Sequence, residues 1–186
     1  MIFNLSLQRC GTQSFSKLLN DAGIGCLHFM DGDIRHTNYG NSLDLWADYK
    51  KTYIDEYMAF SDFPVPLFVD YLFKEYPDAT YICFTRDKYK WAESVQRHLK
   101  HHKEHNVNCF VDALFYKQYA NVDDIFSMSI EQLITAHDAY FDKLKPFNDK
   151  IQYVNMDDAP SICPTLSNIL SVDLPENYPL VDYSKQ

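Results

Sequence analysis

Apolar positions along this chain keep two alternating rhythms. Short apolar runs of strand length are followed by longer stretches in which apolar residues recur every three to four positions. Residues 1–5 open as a short buried strand, Met-Ile-Phe-Asn-Leu. Phe15, Leu18, Leu19 and Ala22 then recur at helical spacing, and Gly23 supplies a stop signal. Residues 23–29 read as a second short strand or extended edge, and residues 31–40 as a loop. Ser42 starts a helix carrying Leu43, Leu45, Trp46, Tyr49 and Tyr53. Residues 56–61 form a buried strand that Asp62-Phe63-Pro64 ends, and residues 65–76 a helix with Leu67, Phe68, Tyr71 and Leu72 inward. The clearest central strand is 79–85, continuous and rich in β-formers. A long helix over 88–105 follows, with Trp91, Val95 and Leu99 on one stripe. Further helices span 111–119 and 129–144. A strand over 151–156, a helix over 161–170 and an irregular, Pro-containing tail complete the chain. Strands alternating with helices predict an α/β fold with a parallel sheet covered on both faces. No repeat, low-complexity segment or linker interrupts the pattern, so 1–186 reads as one domain.

Composition narrows the class. At 186 residues the chain can bury a substantial core, and 46% apolar content with 14 Tyr and 13 Phe is that of a globular protein. The formal net charge is -9. That argues against a nucleic-acid partner, and any anionic ligand must meet a local positive site. The five cysteines, Cys10, Cys26, Cys83, Cys109 and Cys163, are widely spaced and lack metal-ligand pairing. They read as reduced, mostly buried thiols of a cytoplasmic protein. No signal peptide is visible, and no run approaches the ~20 apolar residues of a membrane span. The oligomeric state is left open.

The chemistry concentrates after the first strand, in Ser6-Leu7-Gln8-Arg9-Cys10-Gly11-Thr12-Gln13-Ser14-Phe15. A strand, a tight polar turn and a helix make a phosphate cradle, because the first helical amides lack intrahelical partners and the dipole is positive there. Gly11 lets the backbone approach an anion, Thr12 and Ser14 offer hydroxyls, and Arg9 brings a permanent charge. The run is not a Walker A loop, which needs GxxxxGK[ST]. A second station follows the central strand. Arg86 stands at its end, and Ser94 lies eight residues on, on nearly the same helical face. The two can hold one anion together.

The order basic-x-Gly-Thr-x-Ser after strand one resembles the 5'-phosphosulfate loop of sulfotransferases. Arg86 and Ser94 resemble their Arg-x7-Ser pairing for a 3'-phosphate. Similarity continues through Cys26-Leu27-His28-Phe29, Asp62-Phe63-Pro64, Tyr76-Pro77-Asp78-Ala79, Thr85-Arg86-Asp87 and Trp91-Ala92-Glu93-Ser94-Val95, to the last helix. Most of the chain resembles one branch of small P-loop sulfotransferase-like proteins. The resemblance implies a three-layer P-loop NTPase-like fold with a central parallel sheet flanked by helices. It also implies the donor 3'-phosphoadenosine 5'-phosphosulfate (PAPS), released as adenosine 3',5'-bisphosphate. Arg9, Cys10, Gly11, Thr12, Gln13 and Ser14 would hold the 5'-phosphosulfate, with Arg9 catalytic as well, and Arg86 and Ser94 the 3'-phosphate. The sulfuryl group would pass in line to a hydroxyl or amine of a small molecule or glycan, without a metal.

Two departures stand out. Arg9 replaces the Lys of many sulfotransferases, keeping the charge but not the acid function. The Arg-Lys-Gly loop that many members carry near the C-terminus is absent, and only Lys185 is basic there. A P-loop nucleotide kinase or phosphotransferase, or a catalytically silent nucleotide-binding relative, is the alternative. Asp62 follows the middle strand where sulfotransferases carry their base, and is the candidate here; it could instead cap the helix after it. His28 is a weaker candidate. Residues 97–105 form the one basic patch, with His98/His102 and His101/His105 one turn apart; a solvated helix end is the expectation, ahead of a metal site or a lip for an acidic acceptor. Aromatics over 39–57 and 110–119 could wall an acceptor pocket, although such stripes are more often core.

Overall fold

The computed structural model describes residues 1–30, 34 and 37–179. Part of the expected loop at 31–40, and Lys185 with the end of the tail, lie outside the described residues. Five parallel strands form one sheet: β1 (Ile2–Asn4), β2 (Cys26–His28), β3 (Ala59–Ser61), β4 (Thr80–Thr85) and β5 (Ile151–Asn155), in the order β2-β3-β1-β4-β5. Seven α-helices flank it among the described residues: α1 (Thr12–Asp21), α2 (Ser42–Tyr53), α3 (Val69–Glu75), α4 (Lys88–Glu104), α5 (Phe110–Ala120), α6 (Ile130–Leu144) and α7 (Ala159–Leu170).

The sheet is glued by an aromatic row. Phe3 is in register with Phe60 on one side and Tyr81 on the other, and the rings stack at centroid distances of 5.4 and 5.8 Å. Trp46 and Tyr49 of α2 cover this face through Phe68, at 4.9 and 5.3 Å. On α1, Phe15 meets Phe84 edge-on at 5.7 Å. Offset and edge-to-face pairs like these add to the burial of the rings themselves. β4 is buried across its four central residues, as a strand with neighbours on both sides must be, whereas edge strand β5 buries only Ile151 and Val154.

Most expected elements are present with shorter strands. The exception is the helix over 65–76, which splits into a 3₁₀ turn, Val65–Phe68, and α3. Pro64 and Pro66 withhold two backbone donors at its start, and the segment opens instead on the tighter i→i+3 bond from the Leu67 amide to the Pro64 carbonyl at 2.8 Å. α6 begins on a reciprocal capping box between Ser129 and Gln132, and Asp87 caps α4 by accepting from the amides of Tyr89 and Lys90. All five cysteines are free and buried. No helix among the described residues is long and apolar enough to cross a membrane.

The strand order locates the ligand crevice. From β1 the chain crosses over β3 to reach β2, and from β4 it departs to the opposite edge, β5. β1 and β4 are adjacent and their connections diverge. In such sheets the crevice opens at the carboxyl ends of that strand pair. Arg9 and Arg86 stand on those two ends.

Candidate active site

The loop leaving β1 is held by its carbonyls. Tyr140 of α6 donates to the Leu5 carbonyl (2.6 Å), and the Trp91 indole of α4 to that of Gln8 (2.9 Å). Arg86 donates through Nη1 to the Arg9 carbonyl (3.1 Å), and Tyr178, beyond α7, to the Gly11 carbonyl (2.8 Å). Four side chains from separate segments thus neutralise the acceptor dipoles of one short loop. A loop that is to host an anion needs this arrangement, with carbonyls engaged and amides presented. Gly11 is the residue before α1, with φ 71° in the left-handed region, and the first helical bond runs from Phe15 N–H to its carbonyl. The amides of Thr12, Gln13 and Ser14 therefore sit in the first turn, where the helix itself supplies no acceptor. A Cβ on Gly11 would lie 2.6 Å from Met156 Cε. Arg9 is left-handed too (φ 65°), a conformation that side-chain-bearing residues seldom adopt away from functional loops. Burial pushes the Cys10 thiol up to about 12, so it stays protonated and serves the loop as packing.

Arg86 and Ser94 meet the loop directly. Ser94, buried two turns into α4, accepts from Arg9 Nε at 3.3 Å, while Arg86 reaches the Arg9 backbone. The expected Arg86–Ser94 pair and the expected Arg9 station are therefore one cluster. The carboxylate of Asp87 is occupied as a helix cap and does not claim Arg86.

The tips of β2 and β3 carry the next group. His28 Nε2 lies 3.0 Å from Asp62 Oδ2 and 3.4 Å from Thr12 Oγ1. The Phe63 amide donates to Asp62 Oδ1 at 2.9 Å, so the carboxylate is held from two sides, with Asp62 itself at φ 70°. Burial alone would raise the Asp62 carboxyl, but His28, the Phe63 amide and Thr12 more than offset it and hold it below the ordinary value. Asp62 does not cap the following turn, which starts at Pro64 without a side-chain cap. Ser61 ties this tip to α1 by donating to the Thr12 carbonyl at 3.1 Å, and accepts from Asn4 at 3.0 Å.

A cavity of about 470 Å³ opens beside these groups. Phe29, Met30, Phe63 and Val107 give it apolar walls; His28, Asp62, Gln8, Gln13, His98, His102, Asn108 and Asp112 give it polar ones. His98 and His102 thus turn inward, contrary to the expectation of a solvated helix end. The α4 stripe that buries Trp91, Val95 and Leu99 carries this face toward the cavity, while His101 and His105 remain exposed. Burial, with His102 and Arg9 close by, pushes His98 down to about 4 and keeps it neutral. Of the aromatic stripes, Trp46, Tyr49, Tyr53, Phe115 and Tyr116 go to the core, so the cavity's rings come from Phe29 and Phe63 instead. Among the described residues no group of three or more His, Cys, Asp and Glu side chains could hold a metal ion.

A family model described as a sulfotransferase domain matches residues 1–183. The chain belongs to the sulfotransferase-domain family. The fold of this sulfotransferase-family chain is also that of a sulfotransferase crystallised from Alicyclobacillus acidocaldarius, with a TM-score of 0.56 at 14% identity over 98% of this chain and 86% of that one. No curated protein matches the sequence.

Two residues of this sulfotransferase-family site, Asp112 and Tyr178, escape sequence reasoning. Asp112 sits inside α5 at 5% exposure, with Oδ1 lacking a partner among the described residues. Burial, together with Asp62, pushes its carboxyl up to about 7, against a hydrogen bond from the Gln8 side chain that lowers it. Gln13 Oε1 is likewise buried without a partner. A lone Asp in an otherwise apolar helical face, Phe-Val-Asp-Ala-Leu-Phe-Tyr, is the one signal that could have found Asp112. Tyr178 lies too far along the chain to be linked to Gly11 by any local pattern.

Proposed function

We propose that this protein transfers a sulfuryl group from PAPS to an acceptor held in the cavity beside Asp62. The observation that carries the reading is the meeting of Arg9, Arg86 and the first turn of α1 at the tips of β1 and β4, next to the His28–Asp62 pair. Fixed cations and backbone amides of this kind stabilise charge that grows on a leaving oxygen without reorganising during reaction. In the proposed assignment Arg9 and the amides of residues 11–14 hold the 5'-phosphosulfate, with Cys10 shaping the turn, and Arg86 and Ser94 hold the 3'-phosphate. Arg9 offsets the charge that develops on the bridging oxygen.

The step is an in-line displacement. The acceptor oxygen forms a bond to sulfur as the bond from sulfur to the bridging phosphate oxygen breaks, and the electron pair leaves with adenosine 3',5'-bisphosphate. The acceptor proton goes to the His28–Asp62 pair. With Nε2–H donated to Asp62, the lone pair of His28 is on Nδ1, and Asp62 stabilises the imidazolium that forms. A carboxylate held below its ordinary value is a poor base, so Asp62 works through His28.

Thermal shift tests the reading. Adenosine 3',5'-bisphosphate at a hundred times its dissociation constant should stabilise the protein by ~2.7 kcal/mol, whereas ATP with magnesium should do much less. Arg86→Ala should remove most of the bisphosphate effect. Selective stabilisation by ATP, or by neither nucleotide, would overturn the donor assignment.

A further inference from the structure

The cavity beside the His28–Asp62 pair keeps two buried hydrogen-bond acceptors in need of a donor. Asp112 Oδ1 and Gln13 Oε1 are both shielded from water, both without a partner among the described residues, and both on residues that line the same space. A buried acceptor left without a donor is unfavourable, and a carboxylate oxygen more so than an amide. Native interiors rarely tolerate two such atoms in one place unless something outside the chain completes them. The charges around the site are also sorted. Arg9 and Arg86 cluster at the β1 and β4 tips. Asp62 and Asp112 lie on the cavity side, close enough that Asp62 raises the cost of ionising Asp112. His28 and the Phe63 amide already answer Asp62, whereas a hydroxyl-only ligand would bring Asp112 a hydrogen bond but no charge. An ammonium group supplies several donors and a positive charge, and needs no acceptor in return.

We infer that Asp112, with Gln13, is the anchor for a protonated amine on the acceptor, so that the substrate class is an amino alcohol or amino sugar. This rests on the sulfuryl-transfer reading, which makes the cavity the acceptor site. The ammonium is the handle and not the nucleophile, because its nitrogen has no lone pair. A hydroxyl of the same molecule lies toward His28. Phe29, Met30 and Phe63 enclose the carbon skeleton between them.

The test compares 2-aminoethanol with ethane-1,2-diol, which differ by one ammonium in place of one hydroxyl, by NMR titration of the full chain. The amine should bind about tenfold more tightly, as expected when a charge-assisted hydrogen bond replaces a neutral one. Its shifts should map to residues 13, 62 and 112. In Asp112→Asn the preference should shrink to within about twofold. Equal affinities in the wild type, shifts scattered over the acidic surface, no shift with either probe, or a preference that survives in Asp112→Asn would overturn the inference. The wild-type comparison stands even if the variant does not fold. Nucleotide plays no part in it, so an amine preference without bisphosphate stabilisation would leave the anchor standing and remove only the donor assignment.

Discussion

At the scale of single residues, two carboxylates at one site are biased in opposite directions, and pH separates them. Asp62 is held below its ordinary value by His28, so its folded state binds its proton less readily than the unfolded chain. The stability it contributes is present above about pH 4 and is lost as pH falls further. Asp112 is raised to about 7 by burial, so its contribution is full below about pH 4 and is lost as pH rises through 7. Relative to wild type, Asp112→Asn should therefore gain stability as pH rises from about 4 to 7, and Asp62→Asn as pH falls from about 5 to 3. Urea melts across this range measure both; curves that stay parallel would contradict the assigned environments. In turnover, Asp62→Asn should lower kcat by about a hundredfold or more while leaving bisphosphate stabilisation intact. These roles were unevenly visible in the chain. Arg9, Gly11 and Arg86 stand beside strand ends, where local order alone suggested the cluster that the fold assembles. Asp112 could not be read in this way, because only the packing of α5 decides that this residue lines a cavity. His98 was misjudged for a related reason, since charge composition says nothing about which face of a helix turns inward.

Elements matter here chiefly as clamps on one loop. Trp91 is fully buried on α4 and its indole nitrogen holds the Gln8 carbonyl. Trp91→Phe keeps an aromatic ring in place but leaves that carbonyl without its donor. Chemical denaturation should show a loss of about 1–3 kcal/mol, the cost of stranding a buried acceptor. Trp91→Ala should lose about 3–5 kcal/mol, because a cavity is added. Tyr178→Phe is the milder counterpart. It should cost about 0.5–1.5 kcal/mol in stability, with weaker bisphosphate binding, since the Gly11 carbonyl is no longer held. The strands and long helices were legible from periodicity because each buries one side against a continuous sheet. Around Pro64 and Pro66, apolar spacing predicted one helix where the backbone makes a 3₁₀ turn first and an α-helix four residues later, because periodicity does not distinguish i→i+3 from i→i+4 bonding in a single turn.

At the scale of the whole molecule, an acidic chain sets two arginines against its own net charge at the tips of neighbouring strands. With a net charge of -9, the field far from the site repels anions, and Arg9, Arg86 and the α1 amides oppose it locally. Bisphosphate affinity should therefore change less steeply with salt than in a basic nucleotide binder. A titration between 50 and 500 mM salt, spanning Debye lengths of roughly 14 to 4 Å, measures the slope, and a steep decline would point to long-range steering instead. The tie from Tyr178 to Gly11 joins positions 167 residues apart in sequence. A proteolytic nick between α7 and Tyr178 would therefore slacken the opening turn of α1 while every sheet strand stays whole.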